Sequence, residues 1–396
     1  MTERQSTYDI KTILAALNDV CLVALVALVA SFQLNRKWLF SISLICFGLS
    51  FLAEYVCLRG WQGWRWRRAD AWFVALVALW LVFPLSLPLT GGGPVFRHDM
   101  EKNLSFLLIG VMGLMHSPRK VPLRIVAWTF VITSVVINIA VLLLTDWNEA
   151  VSNPQHLMAI ETARITYFGA HIRFNLCQNM ALISAAYIIC KAQRRKERIV
   201  AAGALPFILL MTFTSQGRIG IITAIVLTAG LLLLWLRGRS RLLAALATIA
   251  MFVAGALFMQ SMQSMHEYDK LSEKIITEEP RIKLWNAACD VISEHPMGMG
   301  VDKGMEEFHL KCAVRQAMTD THTHNLWLQY SLYFGVIGFL LITAVLLMPP
   351  FVVEDRKRLM VIFALLPFLL EGMVDVFGAG IPSMMLPLSV WTIIES

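Results

Sequence analysis

The stretch THTHNLWLQYSLYFGVIG, Thr321 to Gly338, decides how this chain is to be read. It stands where a polar segment of about sixty residues ends and a strongly apolar run begins, so His322, His324 and Asn325 fall at the water-facing mouth of a membrane helix. Imidazole exchanges protons near neutral pH, and a helix N-terminus presents free backbone N–H groups beside it. Each helical residue turns the side chain by roughly 100°, so His322 and His324 are not expected to face one ligand, and His324 is the one expected to act. Gly335 and Gly338 share one helical face and suit close approach by a neighbouring helix. The bland alternative has the same residues capping a helix and letting two helices touch.

Outward from this stretch, the composition is that of a polytopic membrane protein. The chain is 57% hydrophobic and only 15% charged, with a mean hydropathy of +0.64, outside the soluble range. Runs able to cross ~30 Å of hydrocarbon begin at 13, 38, 70, 102, 125, 175, 199, 218, 241, 323, 359 and 379, giving about twelve transmembrane helices. The expected fold is all-α, one integral membrane domain over residues 1–396, with a long outer loop at 260–322 between helices nine and ten. Lys and Arg are retained on the cytoplasmic side during insertion. With the N-terminus inside, 20 of the 34 basic residues are cytoplasmic, and seven of the others lie in the long loop that the rule discounts. Both termini are therefore expected in the cytoplasm, and the net charge of +7 is topogenic. No nucleic-acid partner is inferred; membrane lipids surround the chain.

Five of the seven cysteines fall in apolar runs, as small hydrophobes. Cys289 and Cys312 lie in the outer loop, an oxidising place, and are candidates for a disulfide. Outside the membrane no carboxylate pair or His/Cys cluster occurs at metal-ligand spacing, so neither metal nor cofactor is expected.

Three outer segments gather polar residues. The first, Asp146 to Phe174, holds His156, Arg164, His171 and Arg173. The second is Thr214-Ser-Gln-Gly-Arg218, where Arg218 opens a helix and joins a guanidinium to free N–H groups and a positive helix dipole, a combination suited to phosphate. Its alternative is an arginine that snorkels to anchor the helix end. The third is the long loop, where Pro280-Arg281 begins a helical stretch with Ile282, Trp285, Ala288 and Ile292 as its apolar stripe, ending at His295-Pro296. Arg281 is in its first turn, or pairs with Glu278 or Asp269 in solvent. His295 reads as structural. Within the membrane, Glu371 and Asp375 approach the outer face, where acids are expensive and need a partner; they are candidates to orient an arginine or hold the imidazole. Asp19, Glu54 and Asn138 read as inter-helix hydrogen-bonding groups.

Together, His324-Asn325, nine residues, then Gly335-Val-Ile-Gly338, with Arg281-x3-Trp285, His295-Pro-Met-Gly-Met-Gly300 and Ser215-x-Gly-Arg218 before it, resemble the O-antigen ligase and polymerase superfamily, and its ligase branch in particular. The resemblance implies a GT-C-like glycosyltransferase architecture in the bacterial inner membrane. It implies transfer of an undecaprenyl-diphosphate-linked O-antigen to the lipid A core oligosaccharide at the periplasmic face, metal-independent and inverting. Carried onto this chain, Arg218 and Arg281 hold the donor diphosphate and His324 is the base. Asn325, Arg173, Arg164 and His171 complete the expected substrate-binding set.

The chemistry agrees without the resemblance. Displacing a polyprenyl diphosphate needs no acid if cations stabilise the leaving charge, and a general base must then activate the incoming hydroxyl. Rival readings are an O-antigen polymerase, a protein O-oligosaccharyltransferase, and, from another class, a lipid-linked glycan transporter. The polymerase reading calls for a second large arginine-rich outer loop, and the transporter leaves the His-Asn motif unexplained.

Overall fold

The computed structural model describes residues 2–31, 37–58, 65–90, 92–144, 171–214, 218–235, 280–317, 322–376 and 381–396. Regular structure among them is entirely helical. The helices are α1 (Thr2–Ala30), α2 (Lys37–Leu58), α3 (Asp70–Thr90), α4 (Pro94–Lys102), α5 (Leu104–Met115), α6 (Leu123–Leu144), α7 (His171–Lys191) and α8 (Arg195–Thr214). They continue with α9 (Arg218–Trp235), α10 (Pro280–Glu294), α11 (Val301–Val314), α12 (Leu326–Leu347), α13 (Pro349–Val352), α14 (Asp355–Gly372) and α15 (Ile381–Ile394). Eleven of the twelve apolar runs coincide with helices; the ninth, starting at 241, lies outside the described residues.

Five helices among the described residues are long and apolar enough to span a membrane: Ile10–Ala30, Leu39–Leu58, Asp70–Pro88, Leu123–Leu144 and Leu326–Leu347. They turn large apolar side chains outward, with Ile13, Val20, Leu49, Leu85 and Leu143 all exposed. Such a surface is unstable in water and is what lipid requires.

Residues that the charge rule assigns to one side meet at one end of the bundle. Arg67 pairs with Asp70 at 3.2 Å and with Glu395 at 2.8 Å, while Asp70 also meets His116 at 3.0 Å. Arg119 pairs with Asp19 and Glu54, and Lys357 donates to the Ser396 carbonyl at 2.8 Å. Asp19 and Glu54 are thereby accounted for as inter-helix ties.

α7 is the polar spine of the interior, packing against α6, α8, α9 and α14. Asn175, Gln178 and Asn179 are fully buried on it, so each needs a partner. Gln178 Nε2 donates to Asn138 at 2.9 Å and Gln178 Oε1 accepts from Ser134 at 2.7 Å, both on α6; Asn179 donates to the Gly220 carbonyl at 3.1 Å. A Cβ at Gly220 would lie 2.2 Å from that of Asn175, so only glycine lets α9 start against α7. The openings of these two helices, with Arg218 and Arg173 two residues from that contact, are thus side by side.

The outer segment 280–317 forms the pair α10 and α11, tied by Arg315 to Asp290 at 2.5 Å and Lys311 to Glu294 at 2.6 Å. α10 is real, but its buried stripe is Leu284, Ala287, Ala288 and Val291, and Ile282 is exposed. The expected stripe was out of phase because α10 packs on α11 and α12, and alanines, weak in any hydropathy pattern, make the contact. The disulfide expectation is also corrected: no bond joins Cys289, which is exposed, to Cys312, which is fully buried.

Gly335 does not serve a helix–helix contact. At φ 57°, ψ −142° it breaks α12 into two segments, a conformation open to glycine. The turn after α10 seats on this break. Val336 N–H donates to the Pro296 carbonyl at 3.0 Å and Gly300 N–H to the Tyr333 carbonyl at 2.8 Å. A Cβ on Gly335 would lie 2.1 Å from the Pro296 oxygen, and one on Gly298 2.5 Å from the Tyr333 oxygen. Main chain therefore meets main chain, and the His-Pro-Met-Gly-Met-Gly run is the other half of that contact.

Candidate functional site

The residues before α12 are held in a fixed, non-helical shape. Asn325 is the N-cap: its Oδ1 accepts from Leu328 N–H at 3.1 Å, and its Nδ2 donates to the Met373 carbonyl at 3.1 Å. Thr323 is fully buried. Its N–H donates to Gln329 Oε1 at 2.8 Å and its hydroxyl to the Asn325 carbonyl at 2.9 Å. His324 takes φ 52°, a left-handed backbone that a non-glycine residue adopts at a cost and that concentrates at functional positions.

This shape aims both imidazoles at one carboxylate. His322 Nε2 is 3.2 Å and His324 Nδ1 is 3.4 Å from the same Asp375 Oδ1, with ring centroids 4.2 Å apart. The expectation that His322 and His324 could not share a ligand is therefore overturned. It assumed helical geometry, and the helix starts only at Leu326. The sequence argument against a metal-binding cluster falls with it, since His322, His324 and Asp375 have ligand atoms within 4.8 Å of one another. That grouping had no signature in local spacing because its third member is fifty residues downstream.

Asp375 lies in the turn beyond α14. Its Oδ1 lies 3.2 Å from His322 Nε2, in hydrogen-bond geometry, and 3.4 Å from His324 Nδ1, in ion-pair range. Arg173, half-buried in the first turn of α7, feels the charge of Asp375, while burial draws its guanidinium below the usual arginine value. One helical turn earlier, Glu371 is fully buried, and neither carboxylate oxygen has a hydrogen-bond partner among the described residues. The side chain of His324 is 19% and that of Asp375 17% exposed, so the pair is reachable from water yet shielded from it.

The other sequence candidates divide. Arg281 is in the first turn of α10, half-buried, and α10 packs on α12. Arg218 is the first residue of α9 and His171 the first of α7; their side chains, and the whole of Arg164 and His156, lie outside the described residues. Arg173 lies near enough to interact with Asp375, whose carboxylate faces both imidazoles. Two imidazoles, a carboxylate and a guanidinium thus gather at one mouth, groups whose chemistry allows proton exchange beside a positive charge.

Residues 200–343 match the family model described as O-Antigen ligase. Over that segment, about a third of its length, the chain is similar to the O-antigen ligase superfamily. The matched span contains Arg218, Arg281, His322, His324, Asn325 and the Gly335 break, and it ends before Asp375. No curated protein matches the chain. The match supports a function of the O-antigen ligase and polymerase class.

Proposed function

We propose that the chain is an O-antigen ligase, transferring a glycan from undecaprenyl diphosphate to the lipid A core oligosaccharide at the periplasmic face of the inner membrane. The reading includes twelve spans in a GT-C-like arrangement, cytoplasmic termini, and inversion without a catalytic metal. The observation that carries it is the 3.4 Å approach of His324 Nδ1 to Asp375 at the mouth of α12. With the ring proton on Nδ1, facing the carboxylate, the lone pair of Nε2 is left to accept a proton.

In the proposed step the acceptor hydroxyl gives its proton to His324 Nε2 as its oxygen attacks the anomeric carbon. The bond from that carbon to the diphosphate oxygen breaks, and the leaving group departs as the undecaprenyl diphosphate anion. Asp375 orients the ring and stabilises the imidazolium that forms. Arg218 and Arg281 hold the diphosphate; Arg173, with Arg164 and His171 expected nearby, adds positive charge on the donor side, and Asn325 fixes the helix mouth. Developing charge met by preplaced cations makes a protonating acid unnecessary.

The test is whether purified protein in liposomes consumes a lipid-linked glycan only when lipid A core is added. Consumption without acceptor, yielding longer lipid-linked chains, would make it a polymerase. Consumption with a peptide acceptor alone would make it a protein ligase, and translocation without consumption a transporter.

A further inference from the structure

We propose that His322, His324 and Asp375 form a binding site for a Zn²⁺-class divalent ion whose occupancy switches transfer off. The geometry carries the first half. A tetrahedral ion with ligand bonds of about 2.0–2.2 Å holds neighbouring ligand atoms roughly 3.3–3.5 Å apart. The distances from Asp375 Oδ1 to His322 Nε2 and His324 Nδ1 are 3.2 and 3.4 Å, and all three ligand atoms lie within 4.8 Å of one another. Three protein ligands leave one position open, the pattern of exchangeable zinc sites. Two imidazoles with one carboxylate select Zn²⁺, Co²⁺ or Ni²⁺ over Mg²⁺ and Ca²⁺.

The local field is mixed. Arg173 lies near enough to interact with Asp375 and opposes a dication. Glu371, one turn away, is fully buried with both oxygens unpartnered among the described residues; an unpaired carboxyl so buried sheds its charge, so the negative charge that meets the ion is that of Asp375. The site is also reachable, with the His322 side chain 32% exposed.

The second half rests on the proposed function and follows from proton counting. A neutral imidazole has one N–H and one lone pair. When Nδ1 of His324 gives its lone pair to a metal, the proton must sit on Nε2, which then cannot accept one from the acceptor hydroxyl. The ion also takes Asp375 away from the ring. Metal occupancy and general-base catalysis by His324 therefore exclude one another, and a chelator should leave activity unchanged or raise it.

The experiment uses full-length, tag-free protein in detergent, stripped of metal and titrated with Co²⁺, whose d–d absorption reports low-symmetry coordination. A saturable spectrum at one ion per chain is expected. His322→Ala and the isosteric Asp375→Asn should weaken it by at least ~10-fold, with helicity unchanged by circular dichroism, while His309→Ala, on α11, leaves it intact. No saturable spectrum, or one unchanged in both site variants, would overturn the metal site. In liposomes, Zn²⁺ at saturating concentration should suppress transfer by at least tenfold; binding with transfer undiminished would overturn the switch. Absence of transfer from metal-free protein would sink the proposed function, leaving the spectrum to decide the site by itself.

Discussion

Asp375→Asn is the most informative single change, because it keeps shape and removes charge. The carboxylate oxygen is 3.4 Å from His324 Nδ1, so the charge centres of an Asp⁻–imidazolium pair are separated by roughly 4 Å. At an effective dielectric constant of about 20, that pair is worth about 4 kcal/mol. The stabilisation is present only once His324 has taken the acceptor proton, so it belongs to the transition state. At 1.36 kcal/mol per decade, its loss predicts a transfer rate lower by about 10³-fold. Donor affinity should hardly change, because the diphosphate is assigned to arginines. Initial rates of glycan transfer to lipid A core in proteoliposomes give the first quantity, and binding of labelled donor the second. A variant within threefold of wild type, with unaltered melting temperature, would refute the dyad. Donor binding lost in parallel with rate would instead make Asp375 a partner of Arg173.

Four further expectations follow from the same geometry. His324→Ala should lower the rate by ~10²- to 10⁴-fold with expression intact, and His322→Ala should also be felt, by a smaller factor, since it shares Asp375; equal rates for His322→Ala and wild type would make that ring a bystander. Arg218→Ala and Arg281→Ala should weaken donor binding together with rate, and unchanged binding isotherms would remove them from the diphosphate. Gly335→Ala puts a Cβ 2.1 Å from the Pro296 oxygen at φ 57°, costing about 1–3 kcal/mol of backbone strain and about 0.5–1.5 kcal/mol for each of two displaced hydrogen bonds. Thermal melts should show it, and a wild-type melting temperature would argue against the seated turn. In a Cys289→Ser background, a cysteine replacing exposed Glu306 should react with an impermeant thiol reagent from the periplasm and one replacing exposed Gln193 should not; the reverse would invert the topology.

Hydropathy located the helices well, because span length and apolarity are one-dimensional properties: eleven runs reappear among the described residues. His324 was legible for the same reason, standing at a polarity boundary before a good N-cap, Asn325. Its relation to His322 was not. The sequence pattern reads as helix up to the histidines, whereas hydrogen bonds of Thr323 and a left-handed His324 keep the segment non-helical. Asp375 could be flagged as an acid near the outer face, but its partners depend on α14 packing beside α7 and on the Asn325 bond to Met373. Gly335 was noticed and misassigned, since spacing alone does not distinguish a helix face from a helix break. The stripe on α10 failed because alanines carry its contact.

The seat of the outer turn on α12 bears on how such a chain can diversify. The contact is made by the carbonyls of Pro296 and Tyr333 and the amides of Val336 and Gly300, atoms that every residue except proline can supply. Its sequence demand is therefore confined to small residues at a few positions. The exposed faces of α10 and α11, with Glu306, Leu310 and Val314 among them, are under no such demand. Drift there can reshape the outer surface while the main-chain seat holds its register, so the two parts of the chain are free to change at different speeds.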